Sequence, residues 1–154
     1  MGTDAGTNGT GNGTVTKVSF RVGARLANRS LAIGLVETIA LQVDKTDRDF
    51  ANAITTAFGE AFNNVVIHSY KNRNDGVLDV EAELGSDFVT LKLIDHGATA
   101  DLSNVPTPDL DGLPEGGLGI FMMQSLMDEV VYRGGSPNVL SLTKRITAAG
   151  SPSQ

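Results

Sequence analysis

Glu60 and Asn64 are the pair of residues in this chain whose types and spacing best suit chemistry. They stand four apart in a stretch with helical periodicity, so both side chains lie on one helical face. Their neighbours are apolar, and a carboxylate among apolar groups is costly unless it has a partner. A carboxylate and an amide oxygen can together serve a hydrated magnesium ion, and the carboxylate can also accept a proton from a hydroxyl nucleophile. Taken alone, such a pair is more often an ordinary helix pair facing solvent.

Asp95 ends a predicted strand, and Gly97 follows two residues later. A carboxylate at the end of a strand can accept a hydrogen bond from an exocyclic amine such as that of adenine. Glycine at the second position lets the backbone approach a base without a side chain in the way. An Asp-x-Gly sequence is also a common strand-ending turn, so this pattern alone does not indicate a binding site.

A glycine-rich segment, made of Gly116, Gly117, Leu118 and Gly119, directly precedes a predicted helix. Exposed amides at a helix N-terminus form a site for phosphate oxygens, although the glycines alone would also suit a flexible hinge. The preceding stretch, about residues 96–116, is rich in Pro and Asp and is long for a connection, which is typical of a lid. In this order, the three patterns predict a pocket for a nucleotide and a divalent cation.

The elements that must position these residues follow from hydrophobic periodicity. A strand is predicted at 15–22 as an edge, and strands are predicted at 77–84, 88–94, 129–132 and 139–146. Predicted helices cover residues 27–43, a stretch from a capping box at Thr46 and Asp49 to about Tyr70, and residues 120–127. The first helix would pack through the apolar side chains of Leu31, Ile33, Leu35, Val36, Ile39 and Leu41.

This order of elements predicts an α+β fold, a two-layer sandwich whose helices cover one face of a largely antiparallel sheet. We expect one domain over residues 15–146, with a Gly/Thr/Asn-rich flexible tail at 1–14 and a small polar tail at 147–154.

Composition narrows the class of protein. The chain has 154 residues, no cysteine and a formal net charge of -6, which argues against disulfides, a thiolate metal site and broad binding to nucleic acid. The two histidines lack a zinc-site spacing. No apolar run approaches the roughly 20 residues that span a bilayer, and no signal pattern opens the chain. We therefore expect a cytoplasmic protein that does not bind membranes or contact nucleic acid directly.

The three patterns also resemble a known family. The segment EAFNNVVIHSY, which begins at Glu60, is similar to the N box of GHKL (Bergerat-fold) ATPases, IDHG to their first glycine box and EGGLGI to their second. The run GLGIFMMQSLMDEV and the closing LSLTKRI resemble the anti-sigma factor serine/threonine kinases of bacterial stress and sporulation control. The likeness covers residues 15–146, nearly the whole chain.

The resemblance implies a role for each position. Glu60 would be the general base or polarising carboxylate, and Asn64 would be the magnesium ligand. Asp95 would bind the adenine amine with Gly97 beside it. Phosphates would lie against the glycines of the second box, and the resemblance places a hydroxyl near the base at Thr143.

The same resemblance implies a kinase that uses ATP and Mg²⁺ to phosphorylate a small anti-sigma antagonist protein, and that sequesters an RNA polymerase sigma factor as a homodimer. Two positions depart from the pattern: Thr99 replaces the second glycine of the first box, and Glu115 stands where some of these kinases carry a basic residue. Glu115 favours an alternative, a catalytically silent nucleotide-binding regulator, which the retained Glu60 opposes. A detached histidine-kinase ATPase domain ranks lower, because no segment with a phosphoacceptor histidine is recognisable.

Overall fold

The computed structural model describes residues 13–100 and 117–147. Within these ranges, three α-helices lie on one face of a five-stranded antiparallel sheet, which confirms the predicted two-layer α+β architecture. The strand order is β1-β2-β3-β5-β4, with β1 at one edge as predicted. Most of both tails, the segment 101–116 and therefore Glu115 and Gly116 lie outside the described residues.

The strands are β1 (Thr16–Gly23), β2 (Val77–Leu84), β3 (Phe88–Asp95), β4 (Glu129–Arg133) and β5 (Asn138–Arg145), and the helices are α1 (Arg29–Val43), α2 (Arg48–Asn64) and α3 (Gly117–Leu126). A single 3-10 turn, Leu26–Asn28, leads into α1, and a π-helical turn, Val65–Ser69, continues α2.

The core forms where α2 covers the inner face of the sheet. Phe58 and Phe62, one helical turn apart, are completely buried, and their rings lie 6.2 Å apart. They meet the alternate side chains of the strands, because successive strand residues point to opposite faces. The fully or almost fully buried strand residues are Leu78, Val80, Ala82, Val89, Leu91, Leu93 and Leu142.

Helix α1 packs against α2 at a glycine. A β-carbon at Gly59 would lie 2.5 Å from Nη2 of Arg29 and 3.3 Å from Cδ1 of Ile33, so these α1 side chains rest on the α2 backbone. Glycine inside a helix costs about 1 kcal/mol relative to alanine. The close approach of Arg29 and Ile33 explains why a glycine stands there.

Two local predictions need correction. The cap of α2 is Asp47, whose carboxylate accepts a hydrogen bond from Phe50 N at 2.9 Å, and not the predicted box at Thr46. The hydroxyl and amide of Thr46 instead donate to Asp44 Oδ1.

The predicted packing face of α1 is also partly wrong. Leu31 is 61% exposed and Leu35 is 40% exposed, whereas Ala32 and Ala40 are fully buried. The small side chains allow α1 to lie close to the sheet. As a result, the two leucines remain on the side of α1 away from Ile33 and α2.

In the part of the chain that the structure describes, no helix is both long and apolar enough to cross a membrane.

Candidate active site

Helices α2 and α3 meet at Glu60, Asn64 and Gly119. A β-carbon at Gly119 would lie 3.0 Å from Oε2 of Glu60 and 3.8 Å from Nδ2 of Asn64. Position 119 is buried, and Glu60 and Asn64 are half-buried. The structure therefore brings the Glu60–Asn64 pair together with the glycine-rich segment. The lack of a side chain at Gly119 keeps the space beside the Glu60 carboxylate open.

The two adjacent asparagines of α2 have different surroundings. Asn64 lies with Glu60 on the side that meets Gly119. Asn63 is about 100° further round the helix, and its Oδ1 is buried with no hydrogen-bond partner among the described residues. Asn64 is therefore the asparagine with the geometry expected of a ligand in this site.

The N-terminus of α3 provides hydrogen-bond donors beside Glu60. The helix begins at Gly117, and Leu118, the next residue, is 53% exposed. The first amides of a helix have no carbonyl partner within the helix, and the helix dipole favours an anion there. Gly119 lies against Glu60 and Asn64 of α2. A phosphate bound at the N-terminus of α3 would therefore lie close to the Glu60 carboxylate and the Asn64 amide.

Asp95, at the end of β3, is 4% exposed. Its Oδ1 accepts hydrogen bonds from the backbone N of Gly97 at 2.9 Å and from Nδ2 of Asn138 at 2.9 Å. Its Oδ2 makes no hydrogen bond to residues 13–100 or 117–147 in the structure. The carboxylate is thus held from one side and keeps an oxygen for a ligand.

Gly97 is fixed against the end of α2. A β-carbon there would collide with the carbonyl group of Ser69, and the N–H of the next residue, Ala98, donates to that carbonyl oxygen at 2.7 Å. The π-helical turn Val65–Ser69 carries the Ser69 carbonyl to this point, and such turns are frequent at functional sites. Glycine is required here because of the close approach, so the segment after Asp95 lies in direct contact with the end of the π-helical turn that continues α2.

Tyr70 links the backbone at the start of β2 to the backbone just after Asp95. Its hydroxyl donates to the carbonyl oxygen of Val77 at 2.7 Å and accepts from the N–H of His96 at 2.9 Å. The tyrosine is 5% exposed, so both bonds are shielded from water. The His96 side chain is exposed, and the residue contributes to the site through its backbone.

Asn138 is a site residue that the sequence interpretation missed. It is fully buried and pairs directly with Asp95 across β3 and β5. A buried polar side chain in a strand is a signal for such a role. The pairing itself is hidden in the sequence, because β3 and β5 are not consecutive strands.

Thr143 does not lie in this site, contrary to the expectation from the family resemblance. It lies on the outer face of the sheet, where its hydroxyl lies 2.9 Å from that of Thr90 and lines a shallow cavity of about 540 Å³. Asn138 and Thr143 are five residues apart on β5, so their side chains point to opposite faces. A base beside Asp95 cannot reach the Thr143 hydroxyl.

Thr99, which departs from the family pattern, has a structural partner. Its hydroxyl donates to Oδ1 of Asn138 at 2.8 Å, and the N–H of Ala100 donates to the Tyr132 hydroxyl at 2.9 Å. These bonds tie the segment after Gly97 to the hairpin of β4 and β5.

No group of three or more His, Cys, Asp or Glu side chains in the described ranges could hold a metal ion. A cation beside Asn64 would therefore need oxygens from a bound ligand and water, an arrangement that Mg²⁺ accepts.

Comparisons with known proteins identify the family of this chain. Residues 22–144 match the family described as histidine kinase-like ATPase domain. The anti-sigma F factor of Clostridium beijerinckii is 34% identical over 116 residues, which cover 73% of this chain and 80% of that protein. The serine-protein kinase RsbW of Staphylococcus aureus is 35% identical over 99 residues, which cover 58% of this chain and 62% of that protein.

Among solved structures, the RsbU and RsbW domains of a Mycobacterium tuberculosis protein match with a TM-score of 0.61 and 20% identity, over 84% of this chain and 32% of that one. This likeness supports the fold alone. The match over residues 22–144 and the identity to the curated relatives carry the family assignment. The chain belongs to the histidine kinase-like (GHKL) ATPase family, on the branch of the anti-sigma factor serine-protein kinases.

Proposed function

We propose that this protein binds ATP and Mg²⁺ between α2, α3 and the end of β3, and phosphorylates a serine or threonine of a small antagonist protein. It also sequesters an RNA polymerase sigma factor until that antagonist displaces it. The observation that carries the catalytic part is the contact of Gly119 with Glu60 and Asn64, because it brings the phosphate-binding helix end to a carboxylate and an amide. The names of the curated relatives support both parts.

Each residue has a stated role in this proposal. The Oδ2 atom of Asp95 accepts a hydrogen bond from the adenine amine, with Gly97 beside the base. The amides of Gly117, Leu118 and Gly119 bind the phosphates, and Gly116 extends this segment. Asn64 binds Mg²⁺, which neutralises charge on the phosphates when bound.

The transfer follows from the position of Glu60. Its carboxylate accepts the proton of the substrate hydroxyl, and the hydroxyl oxygen forms a bond to the γ-phosphorus. The bond from that phosphorus to the β–γ bridging oxygen breaks, and ADP leaves with the bonding electrons. Positioning and charge stabilisation contribute most of the rate acceleration in such transfers.

The exposed apolar side of α1 supports a protein contact. Leu31 and Leu35 lie one turn apart on the side of α1 opposite Ile33, and Leu26, in the 3-10 turn before α1, is 53% exposed. Exposed leucines on one side of a helix are typical of an interaction surface. We assign this side to the homodimer, which leaves the N-terminus of α3 and the end of β3 free for nucleotide and substrate.

Transfer of labelled phosphate from ATP to a candidate antagonist tests the catalytic proposal. Wild type is expected to label the antagonist, and Glu60→Gln to bind ATP with near-normal affinity but to lose transfer by at least about a hundredfold. A matched control is Glu81→Gln, a carboxylate on the outer sheet face. Nucleotide binding without transfer by wild type would support the catalytically silent regulator instead. Undiminished transfer by Glu60→Gln would exclude Glu60 as the base.

Capture of a sigma factor on immobilised protein, with and without ATP, tests the second part. We expect retention that depends on nucleotide and is reversed when the unphosphorylated antagonist is added, because the two sites are then coupled. Retention that neither ATP nor antagonist changes would contradict this coupling.

A further inference from the structure

Asn138 is the most completely bonded buried side chain near the site. Its Nδ2 donates to Asp95 Oδ1 at 2.9 Å, and is shared with the carbonyl oxygens of Gly97 at 3.1 Å and Ala98 at 3.2 Å. Its Oδ1 accepts from the Thr99 hydroxyl at 2.8 Å and from the Gly135 N–H at 3.0 Å. One amide thus joins the end of β3, the segment after it and the turn before β5.

The chemistry of these partners fixes which way the amide points. The two backbone carbonyl oxygens accept only, so the NH₂ group must face them and Asp95. The N–H of Gly135 donates only, so the amide oxygen must face the turn. A flipped amide would place an oxygen against acceptors and an NH₂ group against a donor, and in a fully buried site both contacts are costly.

This orientation leaves Asp95 with one oxygen for a ligand. The Oδ1 atom receives two N–H donors, from Asn138 and from the Gly97 backbone. The Oδ2 atom has no hydrogen-bond partner within residues 13–100 and 117–147. A carboxylate limited to one free acceptor suits adenine, whose amine is a single donor. Guanine presents its ring N–H and its amine side by side, and two adjacent donors pair best with both oxygens of a carboxylate.

We propose that Asn138 is a positioning residue that sets the base preference of the nucleotide site, because it occupies Oδ1 of Asp95 and leaves one acceptor for the amine of adenine. This inference rests on the proposed nucleotide site. Asn138 acts through Asp95 and does not itself contact the base. Its substitution therefore changes the ratio of ATP to GTP affinity, which a purely structural role would leave unchanged.

Calorimetric titration with Mg-ATP and with Mg-GTP tests this for wild type, Asn138→Ala and Thr99→Val. Asn138→Ala is expected to lower the preference for ATP by about tenfold, the equivalent of one hydrogen bond. Thr99→Val removes the second donor to the amide oxygen, so Asn138 is held less firmly against Asp95, and the preference for ATP is expected to fall by about threefold. Ser141→Ala, on the outer face of the same strand, is the control and should keep the wild-type ratio.

The outcomes separate this inference from the function on which it rests. If wild type binds neither nucleotide, the proposed nucleotide site itself is wrong. If wild type prefers ATP and Asn138→Ala weakens ATP and GTP equally, Asn138 has only a structural role and the inference fails. If Asn138→Ala does not fold, Thr99→Val decides, because Thr99 is exposed and its substitution leaves the core intact. An unchanged ratio in that variant would overturn the inference.

Discussion

Gly119 of α3 lies directly against Glu60 of α2, at a distance where a β-carbon would come within 3.0 Å of the carboxylate oxygen Oε2. The helix end proposed to bind phosphate and the proposed base are therefore parts of one contact. Any side chain at 119 must displace Glu60 or shift α3, and either movement changes the position of the carboxylate relative to the phosphates.

Gly119→Ala is accordingly expected to reduce phosphotransfer about 10- to 100-fold, because misplacement of a reacting group by a fraction of an ångström to an ångström has effects of this size. Steady-state transfer to an antagonist measures it. The matched control is Gly34→Ala, at an exposed position of α1 where a β-carbon meets nothing within 4 Å. Equal activity of the 119 variant and wild type would show that the Gly119–Glu60 contact does not matter for catalysis.

The adjacent asparagines provide a second test. Asn64→Ala is expected to weaken Mg²⁺-dependent ATP binding at least about tenfold, since it removes the proposed metal ligand. Asn63→Ala removes an acceptor that has no partner in the described residues, so it should leave the Mg²⁺ dependence unchanged and alter stability little. Titration of ATP affinity against Mg²⁺ concentration measures both variants. A larger effect at 63 than at 64 would reverse the assignment.

A third prediction concerns the contact of α1 with α2. Gly59→Ala places a methyl group 2.5 Å from Nη2 of Arg29 and 3.3 Å from Cδ1 of Ile33. Overpacking of this kind costs about 1–3 kcal/mol, against a gain in helix propensity of about 1 kcal/mol. We expect a net loss of about 1 kcal/mol in the free energy of unfolding, measured with urea. Gly34→Ala has the propensity gain without the contact, so it should be stabilising. A stabilised Gly59→Ala protein would mean that the side chains of Arg29 and Ile33 move aside at little cost.

Periodicity predicted most of the fold because it reports the face that each element buries. The amphipathic helix through Phe58 and the alternating strands were located to within a residue or two. Periodicity could not show that Leu31 and Leu35 lie outside the packing face of α1. This helix has apolar residues on several sides, and the pattern does not tell which side meets the sheet. Small residues such as Ala32 form that contact, and their weak hydrophobic signal concealed it.

The site was only partly predictable for a related reason. For residues close in sequence on one helix, such as Glu60 and Asn64, the spacing alone predicts that the side chains lie on the same face. The contact of Asp95 with Asn138 depends on the register of β3 and β5, which are separated by α3 and β4. A choice of register off by an odd number of residues exchanges the two faces of the sheet. The family resemblance placed Thr143 near the base, but Thr143 is five positions beyond Asn138 on β5 and therefore lies on the outer face.

An ion pair between the edge strand β1 and its neighbour β2 makes the stability of the protein depend on pH. Arg21 donates to both carboxylate oxygens of Asp79, from Nε at 2.7 Å and from Nη2 at 3.1 Å. The hydrogen bonds from Arg21, with smaller effects from the charges of Arg21 and His96, lower the pKa of Asp79 below its ordinary value of 3.8, although partial burial opposes the shift.

A carboxyl group whose pKa is lowered by folding stabilises the folded state above its unfolded pKa, and this stabilisation is lost as pH falls through the folded pKa. Wild type should therefore exceed Asp79→Asn in free energy of unfolding at pH 7, by about 0.5–1 kcal/mol because the Arg21 side chain is 72% exposed. The difference should shrink below about pH 4 and also in 1 M salt. Urea unfolding across pH 2.5–7 measures it, with Asp75→Asn as the control, since Asp75 and its partner Arg73 are both exposed. A difference between wild type and Asp79→Asn that persists at pH 2.5 would arise from packing and not from the charge of Asp79.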